Sequence, residues 1–146
     1  MLVLVLTTLV IVPAGSTAAN RLDRAVLRLV NQERDRHGLN PLRLRPALTR
    51  VATSHTRYLK RIGHLQHESA DGTPATTRIH RAMSLRIVGE TLAYAATARA
   101  LVEEWMQSAP HRELLLSRSF RWAGVGVVPG TLDGYDVLWS TVDLGR

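Results

Sequence analysis

Apolar residues recur at helical spacing in four segments of the chain, and the last quarter changes to strand-like alternation. Leu22, Ala25, Val26, Leu29 and Val30, with Glu33, share one face of a helix over residues 20–36. Asn20 stands where a cap is expected, and Gly38 lies just past the helix end. Pro46 suits a first helical position, and Leu48, Val51, Ala52, His55, Leu59 and Ile62 mark a second helix closed by Gly63. A polar loop over residues 63–72 follows, carrying His64, His67, Glu68 and Asp71. Thr73 as cap and Pro74 at the first position predict a short third helix to about Met83. Residues 85–94 include a short extended piece around Glu90. Ala98, Leu101, Val102, Trp105 and Met106 form one face of a fourth helix capped by Thr97. Pro110 disfavours helical geometry at Ala109, so this helix should stop near Ser108 and leave His111 on a turn.

Residues 122–128 and 135–142 read as two strands joined by a turn over residues 129–134, an antiparallel hairpin. A hairpin alone is marginal, so a third strand and covering helices are required. Helices first and strands last is the order of an α+β domain.

The N-terminus is of another kind. Residues 2–12 are apolar except for Thr7 and Thr8, and small residues follow from Ala14 to Ala19. Eleven apolar residues are too few to span a bilayer, which needs about 20. The pattern predicts a secretory signal peptide over residues 1–19, cleaved near Ala18 or Ala19, and a single domain over residues 20–146. There is no cysteine, so an exported domain must hold together by its core alone.

Charge is unevenly spread within a net +7. Residues 20–62 carry 11 basic and three acidic side chains, against eight and nine in the remainder. A basic N-terminal half implies an anionic envelope polymer or lipid surface as partner, bound by a monomer. With one Phe, three Tyr and three Trp the chain lacks a stacking platform, and no nucleic-acid partner is expected.

Three polar groups stand out against this frame: His67 in the loop, Glu90 in the extended piece and His111 after the fourth helix. Two imidazoles and a carboxylate suit a borderline metal such as zinc or copper with one position open to water. The same trio can instead transfer protons without metal, with Glu90 and His111 as the candidate catalytic pair. The spacings, 23 and then 21 residues, match no compact metal motif. His55 lies on an apolar helical face and reads as a packing histidine.

Several ordered motifs resemble the CAP superfamily (cysteine-rich secretory proteins, antigen 5 and pathogenesis-related 1) in its bacterial, SCP-like extracellular form. Val30-Asn31-Gln32-Glu33-Arg34 with His37-Gly38-Leu39-Asn40-Pro41-Leu42 resembles the family's opening helix and loop. Leu48, Ala52 and His55 resemble its second helix, and His67-Glu68-Ser69-Ala70-Asp71-Gly72 its His-x-Ser-Pro-Asp-Gly loop with Ala70 replacing Pro. Gly89-Glu90-Thr91 is similar to Gly-Glu-Asn, and residues 105–112 to Trp-Met-x-Ser-x-x-His-Arg. Gly124-Val125-Gly126-Val127 and Trp139 resemble the closing strands.

The resemblance implies an α-β-α sandwich, with a small antiparallel sheet flanked by helices, and a central cavity of two His and two Glu that binds a divalent metal in some members. His67, Glu90 and His111 carry over onto this chain. The second Glu does not: Ser108 stands there, with Glu104 one turn earlier and Glu68 beside His67 as substitutes outside the motif. The function implied is a secreted or envelope-associated binding module for divalent metal, lipid or envelope ligand. The alternative is a hydrolase using metal-bound water or Glu90 as base. A serine hydrolase built on Ser108 and His111 lacks the Gly-x-Ser-x-Gly elbow.

Overall fold

The computed structural model describes residues 14–146, with side chains from Asn20 onward. The apolar run over residues 2–12, on which the signal-peptide expectation rests, lies outside the described residues. The elements are α1 (Ala14–Arg36), β1 (Arg43–Leu44), α2 (Pro46–Ile62), α3 (Ala75–Ala82), β2 (Val88–Ala95), α4 (Ala98–Gln107), α5 (Ala109–Leu115), β3 (Trp122–Leu132) and β4 (Tyr135–Gly145). The sheet runs β1-β3-β4-β2, so the closing hairpin lies at its centre. β4 is antiparallel to both β3 and β2, while two-residue β1 pairs parallel with β3 and makes the sheet mixed. The class is α+β.

Helices cover both faces. Val26 and Val30 of α1, Leu101, Val102 and Trp105 of α4 and Leu115 of α5 pack with Val125, Val142 and Leu144 of the sheet in the main core. On the other face Leu59 of α2 meets Leu92 and Trp139 in a smaller cluster. This is the three-layer sandwich that the sequence implies.

Glycine sets the approach of α2 to the sheet. A Cβ on Gly124 would run into the Leu48 backbone, and one on Gly126 into the backbone of Thr53 and Ala52. The buried Thr56 hydroxyl lies 3.1 Å from the Gly126 carbonyl and 2.9 Å from the Thr141 hydroxyl. On the opposite face, α1 is fastened by polar side chains. The Asp23 carboxylate, 4% exposed, accepts from the Val127 N–H at 2.8 Å. That N–H lies on β3 beyond its short pairing with β1. Arg34, 1% exposed, donates to the carbonyls of Asn40 at 2.9 Å, Leu115 at 2.6 Å and Ser117 at 3.0 Å. One guanidinium thereby ties α1, the loop after it and the end of α5 together.

Four local expectations change. Asn20 sits inside α1, because the alanine-rich residues before it continue the helix. Thr73 does not cap α3, which begins at Ala75; its N–H donates to Asp71 Oδ1 and its carbonyl closes the turn from Ser69. Pro110 does not leave a turn after α4: it sits in the first turn of α5, where a proline is tolerated, so His111 is helical. The hairpin turn contracts to Asp133-Gly134, with φ of 51° and 85°, the two-residue turn that matches strand twist. Gly63 does close α2, at φ 74°, and Thr97 caps α4 by accepting from the Ala100 N–H at 3.1 Å.

Two predictions follow from this packing. Gly124→Ala is expected to lower stability by about 3 kcal/mol, since Leu48 offers backbone that cannot yield; thermal unfolding reads it, and an unchanged midpoint contradicts the close approach. Burial raises the Asp23 pKa from 3.8 to about 6, against the opposing hydrogen bond from Val127. The folded state therefore binds this proton more tightly than the unfolded chain, and the contribution is lost as pH rises from about 4 through 6. Asp23→Asn keeps an acceptor for Val127 and removes the charge, so its stability advantage should grow by roughly 2 kcal/mol between pH 4 and 6.5. Denaturant unfolding of both proteins at the two pH values measures it; an equal difference at both would contradict the assignment.

Candidate functional site

The site begins where α2 ends. Past Gly63 the chain folds back on α2, and His55 fixes it there. That imidazole is 3% exposed, with Nε2 2.9 Å from the Gln66 carbonyl, and burial lowers its pKa. Gln66 also donates to the Tyr58 hydroxyl at 2.9 Å. His55 is thus the packing histidine the apolar face implied, and it anchors the loop that carries the next residue, His67.

His67 Nδ1 donates to Glu90 Oε1 at 2.8 Å. Glu90 projects from β2 with 2% of its side chain exposed, while 53% of the His67 side chain is exposed. The other carboxylate oxygen, Oε2, pairs with Arg78 Nη2 from α3. Arg78 Nη1 also donates to the His67 carbonyl at 3.0 Å and to Ser69 Oγ at 3.1 Å. One arginine therefore holds both the carboxylate and the loop that brings the imidazole to it.

Burial alone would push the Glu90 pKa up; the His67 hydrogen bond and the Arg78 charge outweigh it and hold the carboxyl below its ordinary range. The hydrogen bond to Glu90 in turn raises His67. Directly opposite Glu90 across the β2–β4 ladder stands Asp143, fully buried, with neither carboxyl oxygen hydrogen-bonded. Burial first, and the Glu90 charge second, push its pKa well up.

The third predicted residue arrives from the other layer. Trp105, fully buried, donates from Nε1 to the Leu92 carbonyl at 3.0 Å and clasps α4 onto β2. α4 ends, Pro110 opens α5, and His111 falls in the first turn of that helix. It borders a cleft of about 370 Å³ with Leu65, Leu92, Tyr94, Glu104 and Ser108. Burial lowers the His111 pKa, and the charge of His67 lowers it further.

His67 and Glu90 are in direct contact, whereas His111 lines the cleft, among whose lining residues neither of them appears. Ser108 lines that cleft, and Glu104 lines it too, while Glu68 is exposed and acts on His67 through its charge. Arg78 and Asp143 were not singled out from sequence. Asp143 continues the alternation of Val137, Trp139 and Thr141, and an acid in such a series is a signal of a buried charge partner. Arg78 is one of many arginines and carries no comparable signal.

The donor chemistry tests the expected metal. Both Glu90 oxygens are committed, to His67 and Arg78, so Glu90 stands behind His67 as an orienting carboxylate. Among the described residues no three His, Asp or Glu side chains are arranged as a closed metal-holding group. Imidazole donors with an orienting carboxylate are the donor chemistry of a borderline divalent ion.

The same layers and motifs recur in known proteins. Residues 27–143 match the model of the cysteine-rich secretory protein family, CAP. The chain is 29% identical over 117 residues to YkwD of Bacillus subtilis and 30% identical over 107 residues to the membrane protein YlbC of the same organism. It spans 79% and 72% of itself in these matches but only 46% and 31% of the relatives, less than half their length. An outer surface protein of Borrelia burgdorferi superposes with a TM-score of 0.75 at 24% identity, covering 86% of this chain and 92% of that one. An extracellular SCP-domain protein of Bacillus anthracis does so with a TM-score of 0.73 at 24% identity, covering 95% of this chain and 45% of its own. These two likenesses bear on the fold. The family match over residues 27–143 shows that the chain belongs to the cysteine-rich secretory protein (CAP) family.

Proposed function

We propose that this domain is an extracellular, envelope-associated binding module whose cleft beside β2 takes its ligand on the imidazoles of His67 and His111. One observation carries the reading: Glu90 fixes His67 through Nδ1, and among the described residues Nε2 of this half-exposed ring has no hydrogen-bond partner. A ring oriented from behind and open in front is an arrangement for holding a ligand. The cleft mixes apolar Leu65, Leu92 and Tyr94 with polar Glu104, Ser108 and His111, which suits a ligand with both characters. Zinc or copper is the simplest occupant of the two imidazoles. The extracellular setting is supported by the family and by relatives described as outer surface and extracellular proteins. Among the described residues no helix is long and apolar enough to cross a membrane.

A hydrolase is the second reading, and one observation favours it. Neighbouring imidazoles are pushed apart in pKa, His67 upward and His111 downward, which supplies an acid and a base in one place. Hydrolysis of peptidoglycan, ester or peptide substrates that disappears in His111→Ala would move the assignment to an enzyme.

Calorimetry of the purified protein with zinc should show weak binding that His67→Ala and His111→Ala each abolish. Absence of binding in the wild type, or unchanged binding in both variants, would sink the imidazole site. Arg78→Met strips Glu90 of its cation in a buried setting and is expected to destabilise the fold by about 3 kcal/mol or more. Replacing both, as Arg78→Met with Glu90→Gln, should recover part of that loss; a double variant no more stable than the single one contradicts the pairing.

A further inference from the structure

A second surface lies between α2 and α3, and it shares no lining residue with the His111 cleft. Arg50, Ser54, Arg57 and Arg61 recur along α2 at intervals of four, three and four, so they form one stripe. All three arginines are exposed. The stripe borders a basin of about 350 Å³, where Ser54, Arg57 and Arg61 face Ser69 and Arg78. An adjoining basin of about 510 Å³ shares Ser69, Ala70 and Arg78 and adds Arg81 from α3. The two make one trough between α2 and α3, cationic along its length. From Arg50 to Arg61 the stripe runs about 16 Å at 1.5 Å rise per residue.

Little neutralises this charge. Among the described residues Arg50, Arg57, Arg61 and Arg81 enter no ion pair; Arg78 alone is paired, with Glu90. Asp71 borders the trough, accepts the Thr73 N–H and sets one negative charge near Arg81. Glu68, in the same loop, is not among the lining residues. A row of unpaired guanidiniums at regular spacing complements a row of phosphates, which they grip in bidentate fashion.

Two features select the kind of phosphate carrier. The exposed large apolar side chains among the described residues are Leu65, Ile87, Tyr94 and Tyr135, and none lines the trough, so nothing there would enter a bilayer. The aromatic ring that does line it, Tyr58, is overlain by the Arg61 guanidinium at 5.5 Å and is not free to stack a base. We propose that the trough between α2 and α3 binds a linear, base-free phosphodiester polymer through Arg57, Arg61 and Arg81, with exposed Arg50 continuing the same stripe of α2. The surface is separate from the imidazole cleft, and either assignment can fail without the other.

The test compares two triple variants of the full chain that lose equal charge. Arg50→Gln/Arg57→Gln/Arg61→Gln strips the trough, and Arg21→Gln/Arg24→Gln/Arg28→Gln strips exposed arginines of α1. Both should keep the wild-type unfolding temperature and zinc binding. The probe is poly(glycerol phosphate), set beside phosphatidylglycerol vesicles and single-stranded RNA. Affinity for the polymer should fall tenfold or more in the trough variant and less than threefold in the α1 variant. The salt dependence of the trough variant should flatten by about two logarithmic units per unit of log salt, from about 0.7 per lost phosphate contact. Equal losses in both variants would reduce the trough to diffuse charge and overturn the proposal. So would absence of polymer binding, or equal or tighter binding of the vesicles or the RNA.

Discussion

A carboxylate with 2% of its side chain exposed has to be compensated, and Glu90 is compensated from two different layers of structure. Arg78 reaches it from α3 and His67 from the loop between α2 and α3. Because Arg78 also holds the His67 carbonyl and Ser69, the loop cannot leave without exposing the guanidinium's other partners. The charge on Glu90 also adds to burial in raising the pKa of its neighbour Asp143, which faces it across the ladder. The ionisation of the whole region is thus organised around one buried anion, and the orientation of the half-exposed imidazole is its consequence.

The rest of the fold supplies the rigidity that this arrangement needs. β2 lies at the edge of the sheet, where a strand is most free to move. Trp105 clasps that edge from one side, and the α3 contact through Arg78 holds it from the other. The glycines of β3 let α2 settle against the sheet, and His55 then ties the loop down from α2. Arg34 and Asp23 lock α1 to the opposite layer. The His111 cleft and the cationic trough share no lining residue, so they are two surfaces of different chemistry.

Much of this was legible in the sequence, for identifiable reasons. Helical periodicity and the cap signals at Gly63 and Thr97 act locally, and α2 and α4 fall where they were expected. Local rules mislead where two of them apply to one residue. Pro110 ends α4 and also starts α5, and only the second role puts His111 on a helix. The contact between His67 and Glu90 joins residues 23 apart and was reached through resemblance of motifs, since spacing carries no such information. Arg78 escaped because a guanidinium's role depends on what it meets in space, and β1 escaped because two residues make no periodic pattern.

The hydrogen bond from His67 to Glu90 is the feature on which the account turns, and nitrogen-15 NMR of the histidine rings tests it most directly. The account predicts that neutral His67 carries its proton on Nδ1 and titrates above an ordinary imidazole, with His111 titrating below. A His67 ring protonated on Nε2 that titrates at or below the ordinary value would contradict it.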